Sequence, residues 1–132
     1  MNWIKSAVIY DEDFLADPAN IMAFKEGFRK NKELRTRPLH FTVFTSIRSM
    51  IKYDIKDLIE AGIGTLYIGV ESLQDEVIQE ERIHKRDGNI VDIFNELHRN
   101  GINTLGSLIV GWDNQTVKDA EEDAEKFVKF NP

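Results

Sequence analysis

One five-residue unit occurs twice in this chain. Gly62-Ile63-Gly64-Thr65-Leu66 is echoed by Gly101-Ile102-Asn103-Thr104-Leu105, 39 residues later by subtraction of the residue numbers. Each copy follows a helical apolar pattern and precedes an apolar run. A glycine that closes such a pattern is a helix stop, and the run after it is a strand start. One helix plus one strand per ~40 residues is the spacing of a parallel βα array.

The first copy opens the most informative strand, Thr65-Leu66-Tyr67-Ile68-Gly69-Val70. Leu66, Ile68 and Val70 are residue types that a buried strand favours. Gly69 leaves room for a close approach to the backbone. Glu71 and Ser72 follow where the strand leaves the sheet. In α/β proteins that edge, the carboxyl end of the strands, is where ligands bind.

Three further strands and their helices complete the pattern. Ala7-Val8-Ile9-Tyr10 runs into Asp11-Glu12-Asp13-Phe14. Three adjacent carboxylates repel one another and are costly to bury. They read either as a solvated turn or as an acceptor cluster for cations, amines or hydroxyls; Glu71 on the same rim favours the second. Asp17-Pro18 starts a helix with Ile21, Phe24 and Phe28 on one face. The basic stretch of Lys30 to Pro38 reads either as a phosphate patch or as a solvated connection; Glu33, which interrupts it, and the lack of interleaved aromatic residues favour the second. Phe41-Thr42-Val43-Phe44-Thr45 is the second strand. It exits into Ser46-Ile47-Arg48-Ser49, which makes Arg48 either a rim residue or a surface cation. Asp54 caps a helix with Ile55, Leu58 and Ile59 as its stripe, stopped at Gly62.

Beyond the central strand, Ser72 caps a short helix through Val77 and Ile78. The charged segment from Glu80 to Gly88 is long for a βα loop, and Lys85 or Arg86 could reach back over the rim. Ile90, Ile93, Phe94 and Leu97 follow the i, i+3, i+4, i+7 rule up to Gly101. His98 suits the negative end of that helix. Leu105-Gly106-Ser107-Leu108-Ile109-Val110-Gly111 is the fourth strand. Its two glycines are expensive unless close approach is needed. Thr116-Val117-Lys118-Asp119 reads as a capping box for a last helix whose buried stripe is Val117, Ala120, Ala124, Phe127 and Val128.

Composition narrows the function classes. The 132 residues suffice for one domain with a real core. A net charge of −6 argues against general nucleic-acid binding, which needs clustered Lys and Arg. The absence of cysteine excludes disulfides, Cys-ligated zinc and any Cys-bound iron–sulfur cluster carried by these residues. No 18-residue apolar run exists and Met1-Asn2-Trp3-Ile4-Lys5 lacks a signal-peptide core, so no membrane span is expected and a cytoplasmic location is the default.

The four strand ends carry, in order, Asp-Glu-Asp-Phe, Thr-Ser-Ile-Arg, Gly-Val-Glu-Ser and Gly-Ile-Asn-Thr-Leu-Gly-Ser-Leu-Ile-Val-Gly-Trp. This ordered set, at βα spacing from Ile9 to Pro132, resembles the middle of a radical S-adenosylmethionine (radical SAM) enzyme. It most resembles the branch whose members often carry an upstream cobalamin-binding domain. The resemblance implies a partial (βα)6 TIM-type barrel with helices on the outer face. A Cys-x-x-x-Cys-x-x-Cys loop after the first strand of that barrel holds a 4Fe-4S cluster, which cleaves S-adenosylmethionine to a deoxyadenosyl radical. With no cysteine here, residues 1–132 read as one partial-barrel domain, the second to fifth βα units, inactive alone.

By the same resemblance, Asp11, Glu12 and Asp13 match the acidic strand end that faces the methionine amino group. Glu71 and Ser72 match the motif near the ribose and methionine moieties. Ser46 and Arg48 match the third-unit exit, and Lys85 a basic position after the fourth. Gly106 and Gly111 match the glycine pattern that lets the cofactor lie against the backbone. Trp112 and Asp113 depart from the usual Gly-x-Pro-x-Glu-Thr-like exit. No catalytic residue and no metal ligand is assigned to these residues. The implied partners are the remainder of a parent polypeptide or, through open sheet edges, a second copy. Two other readings compete: a phosphate-binding half-barrel with an anion near Gly111 to Thr116, and a non-catalytic module that self-associates through its edges.

Overall fold

The computed structural model describes residues 5–36, 39–70, 90–111, 113 and 115–129. Among them four strands form a single sheet: β1 (Lys5–Ile9), β2 (Leu39–Ser46), β3 (Ile63–Val70) and β4 (Asn103–Leu108). The helices are α1 (Pro18–Lys30), α2 (Lys32–Thr36), α3 (Ile47–Met50), α4 (Ile55–Glu60), α5 (Ile90–Arg99) and α6 (Val117–Lys129). The helix expected after Ser72, the charged segment from Glu80 to Gly88 and the last residues after Lys129 lie outside the described residues.

Strand order follows sequence order, β1-β2-β3-β4, and every pairing is parallel. Successive right-handed crossovers in one direction put the connecting helices on one face of the sheet. That is the wall of a TIM-type barrel; a doubly wound sheet would reverse its strand order. Burial follows the two faces. Val43, Leu66 and Ile68 are fully buried with Leu15, Leu58, Phe94 and Leu97. The alternate positions Val8, Tyr10 and Leu105 are exposed. The α/β architecture of four parallel units is therefore the one expected from the repeat.

The repeated unit turns out to be a helix stop built twice. Gly62 and Gly101 both have positive φ, at 78° and 79°. After α5, Gly101 N–H donates to the His98 carbonyl and Ile102 N–H to the Leu97 carbonyl, both at 3.0 Å. This is the Schellman pattern, with glycine in the left-handed position. The isoleucine that follows each glycine is then buried, Ile63 at 3% and Ile102 at 1% exposure.

The two copies nevertheless do not sit side by side. Between β2 and β3 the register shifts: Phe41 pairs with Ile63, but Thr42 pairs with Thr65. Gly64 is the extra residue of this bulge, and a Cβ there would come within 2.7 Å of His40 Nδ1. One inserted residue flips every later side chain. Leu66 therefore enters the core, whereas its counterpart Leu105 pairs with Tyr67 on the uncovered face.

Several expectations at the element level need correction. β1 begins earlier, at Lys5, and stops at Ile9. β4 stops at Leu108, so Gly111 (φ 94°) lies in the exit loop and not in the strand. The basic connection contains a short helix, α2, and the exit of β2 folds at once into α3. Ile59 is exposed, while Ile55 and Leu58 are buried as expected. On α6 the apolar stripe is rotated. Val117 and Val128 are 77% and 73% exposed and Ala124 is exposed. Ala120 and Phe127 are half-buried, and the buried residue of the helix is Asp123.

Candidate functional site

The carboxyl ends of β1 and β2 are joined through Asp13. β1 ends at Ile9, and the next residues form a tight turn in which Asp11 Oδ1 accepts from Asp13 N–H at 3.2 Å. The segment is tied back to the sheet by Phe14 N–H, which donates to the Phe44 carbonyl at 2.9 Å. Asn20 Nδ2 donates to the Phe14 carbonyl, and the Tyr53 hydroxyl donates to the Leu15 carbonyl at 2.8 Å. Phe14 and Leu15 are buried, which anchors the loop from below.

Three hydroxyls of the next unit converge on the Asp13 carboxylate. Thr45 Oγ1 donates to Oδ1 at 2.8 Å, and Ser46 Oγ and Ser49 Oγ each donate to Oδ2 at 2.8 Å. Ser46 also caps α3, accepting from Ser49 N–H at 3.1 Å. Burial works against ionisation of Asp13, but the hydroxyls of Ser49, Ser46 and Thr45 together outweigh it. They hold the carboxyl below its ordinary range. The same desolvation, with the negative charges of Asp17 and Asp13 nearby, raises the Tyr53 phenol, so it stays a neutral donor.

The structure brings some of the expected residues together and separates others. Asp13 is brought together with Ser46 and Ser49, which both bind it, and Arg48, between those two serines in sequence on α3, is exposed. Asp11 and Glu12 are exposed on the same turn. Ser46 pairs with Gly69, and Gly69 with Ser107, so these three form a polar layer across β2, β3 and β4 on the uncovered face. Gly106 pairs with Ile68 and therefore belongs to the alternate, helix-covered register. Gly111 lies beyond the end of β4. Glu71, Ser72 and Lys85 lie outside the described residues, as does Trp112.

Below the polar layer runs an aromatic row. Tyr10 stacks on Phe44 at 5.6 Å between centroids, and Phe44 meets Tyr67 at 4.8 Å. Leu105 extends the row by pairing with Tyr67. The row lies on the uncovered face, where Tyr10 is 85% exposed. A second hollow, on the outer layer between α4 and α5, is lined by Asp54, Lys56, Glu60, Glu96 and Asn100. Its lining mixes both charges and does not include the strand ends.

Sequence reasoning missed Thr45, Ser49, Gln115 and Asp123. A signal was present for Ser49: a strand-end serine followed three residues later by another is the spacing of a helix cap. For the loop after β4, the capping box is as expected, with Thr116 N–H donating to Asp119 Oδ2 at 2.9 Å and Asp119 N–H to Thr116 Oγ1 at 3.2 Å. Gly111 N–H donates to Gln115 Oε1 at 2.6 Å. His98 is half-buried and paired with Thr104 Oγ1 at 2.7 Å.

Among the described residues no helix is long and apolar enough to cross a membrane, and no three His, Asp or Glu side chains gather to hold a metal ion. No curated protein matches this sequence. A family model described as Radical SAM superfamily matches residues 3–127, almost the whole chain, and with a parallel βα wall of the matching kind the chain belongs to the radical SAM superfamily.

Proposed function

We propose that this chain supplies the S-adenosylmethionine-binding wall of a radical SAM enzyme, as the second to fifth βα units of the barrel. The observation that carries the reading is the clasp of Asp13 by Ser46, next to the exposed Arg48 of α3, at the carboxyl end of a singly wound sheet. A zwitterionic methionine needs a carboxylate near its ammonium and a cation or amide near its carboxylate. Asp11 and Glu12 are exposed for the first task, since the chain's own hydroxyls occupy Asp13. Arg48 serves the second. Ser46 and the Gly69 backbone continue the wall along β2 and β3, and Gly111 follows in the fourth unit; Glu71, Ser72 and Lys85 are assigned to the same wall by the family resemblance alone, and Gly106, in the helix-covered register, is not part of it.

In this superfamily the 4Fe-4S cluster supplies the electron that cleaves the cofactor. The residues here do not fit that cluster, because the sequence holds no cysteine. The cluster, and a cobalamin domain if the parent belongs to that branch, come from elsewhere in the parent polypeptide. This chain binds and orients, and it is catalytically silent alone. An anion site at Gly111 to Thr116 has less to support it. The Gly111 and Thr116 amides are already bound by Gln115 and Asp119, and a carboxylate there repels anions.

The test is a titration of the isotopically labelled chain with S-adenosylmethionine, read by amide resonances. Shifts at Ser46, Arg48, Gly69 and Gly111 are expected. Shifts restricted to α4 and α5, or none, overturn the proposal. Incubation with S-adenosylmethionine and dithionite is expected to give no 5′-deoxyadenosine.

A further inference from the structure

α6 turns a carboxylate inward at a place where an apolar residue would serve packing better. Asp123 is 4% exposed and shares its face with the half-buried Ala120 and Phe127. Its Oδ2 accepts from Gln115 Nε2 at 3.0 Å. Its Oδ1 is buried with no hydrogen-bond partner among the described residues. A buried acceptor left unmade is costly, more so on a charged group. The contact made by Oδ2 supplies a reason for the side chain.

What it does is fix the orientation of an amide. A carboxylate only accepts, so the Gln115 side chain must turn its NH2 group to Asp123 and its oxygen the other way. That oxygen accepts from Gly111 N–H at 2.6 Å. A chain of hydrogen bonds thus runs from the inside of α6, through the exit loop, to the backbone just past β4. At its end Gly111 is held at φ 94°, a conformation open to glycine and rarely to other residues. With the amide flipped, two N–H groups would face each other at Gly111 and the chain would break.

We infer that Gln115 and Asp123 are positioning residues for the rim of the binding wall, holding the exit of β4 against the layer formed by Ser46, Gly69 and Ser107. The link to a ligand rests on the S-adenosylmethionine reading above. The hydrogen-bond chain itself does not. Residues kept at a cost to stability for the sake of a site have a recognisable signature: their removal leaves the fold intact or firmer and loosens the site.

Three variants test this in the intact chain. Asp123→Leu should leave the thermal midpoint unchanged or raised, speed hydrogen exchange at the Gly111 amide by about tenfold, and weaken the S-adenosylmethionine-induced shifts. Gln115→Glu sets two carboxylates against each other and should also free the Gly111 amide. Adding Asp123→Asn to Gln115→Glu restores a donor facing an acceptor. It should return Gly111 exchange to within about threefold of the parent chain. The inference is overturned if Asp123→Leu lowers the midpoint while Gly111 exchange merely follows global unfolding, or if the double variant rescues nothing. If the parent chain fails to bind S-adenosylmethionine, the ligand reading falls, and Gly111 exchange alone decides on the positioning pair.

Discussion

Asp13 is where single residues matter most. Its carboxylate joins the turn after β1 to the end of β2 and to α3 through three hydroxyls. Asp13→Ala removes the common acceptor and leaves the buried Thr45 and Ser49 hydroxyls without it. Hydrogen bonds to a charged group are worth ~1.5–3 kcal/mol each and are not additive, so a loss of about 2–4 kcal/mol is expected by denaturant unfolding. The pH dependence has a definite sign. The folded-state pKa is below the ordinary value, so the stabilisation is complete above the unfolded-state pKa of ~3.9 and fades as pH falls through the lower folded value. The parent should lose more stability than Asp13→Asn between pH 5 and pH 2, by roughly these pKa limits; parallel curves would refute the clasp. That Asp13 sits at a strand end was legible in the sequence. Ser46 was legible as a residue of the same rim, but the clasp with Thr45 and Ser49 was not, because these lie 32 and 36 positions away and only the parallel pairing brings them there.

At the level of elements, the helix stops can be read directly and their surroundings cannot. Gly62 and Gly101 have the same backbone conformation. A Cβ on Gly101 meets nothing within 4 Å, whereas one on Gly62 runs into the ring of Phe28 on α1. That ring is itself held by an edge contact with Phe41 at 6.1 Å. Gly101→Ala should therefore cost ~1 kcal/mol for the left-handed backbone alone. Gly62→Ala should cost about 1–3 kcal/mol more, because an aromatic ring must also move. Equal losses in thermal unfolding would contradict this. The repeat predicted both stops but not the bulge at Gly64, since a glycine in a strand pattern does not say which way the register will slip. α6 failed for a different reason. Ranking its faces by apolar content placed Val117 and Val128 inside, but the buried face contains the polar latch of Asp123.

For the molecule as a whole, two edges stay open. β1 and β4 each pair on one side only among the described residues. Val8, Tyr10, Leu105 and Ile109 are exposed large side chains on or near these edges, and Val117 and Val128 are exposed on α6. We propose that the remainder of a parent polypeptide covers them and that a second copy does so when the chain is alone. Sedimentation should show concentration-dependent dimers of the isolated chain. Val8→Lys with Leu105→Lys, which place charge on the edge strands, should return it to monomer while the circular dichroism stays unchanged. A monomer at every concentration would remove the second copy from consideration. The parallel α/β class was legible because hydrophobic runs and glycine stops recur at fixed spacing. The open face was not, because its residues are the same apolar types that fill the core.

The sequential strand order has a consequence for how the chain can be assembled and cut. Each strand finds its partner in the unit just before or after it, so no strand must wait for a distant segment to arrive. Units can be added at one end like courses of brick, each laid on a finished neighbour. A polypeptide shortened by its last unit should keep the earlier pairings in place, with β3 becoming the new border, and it would lose a margin without losing its plan.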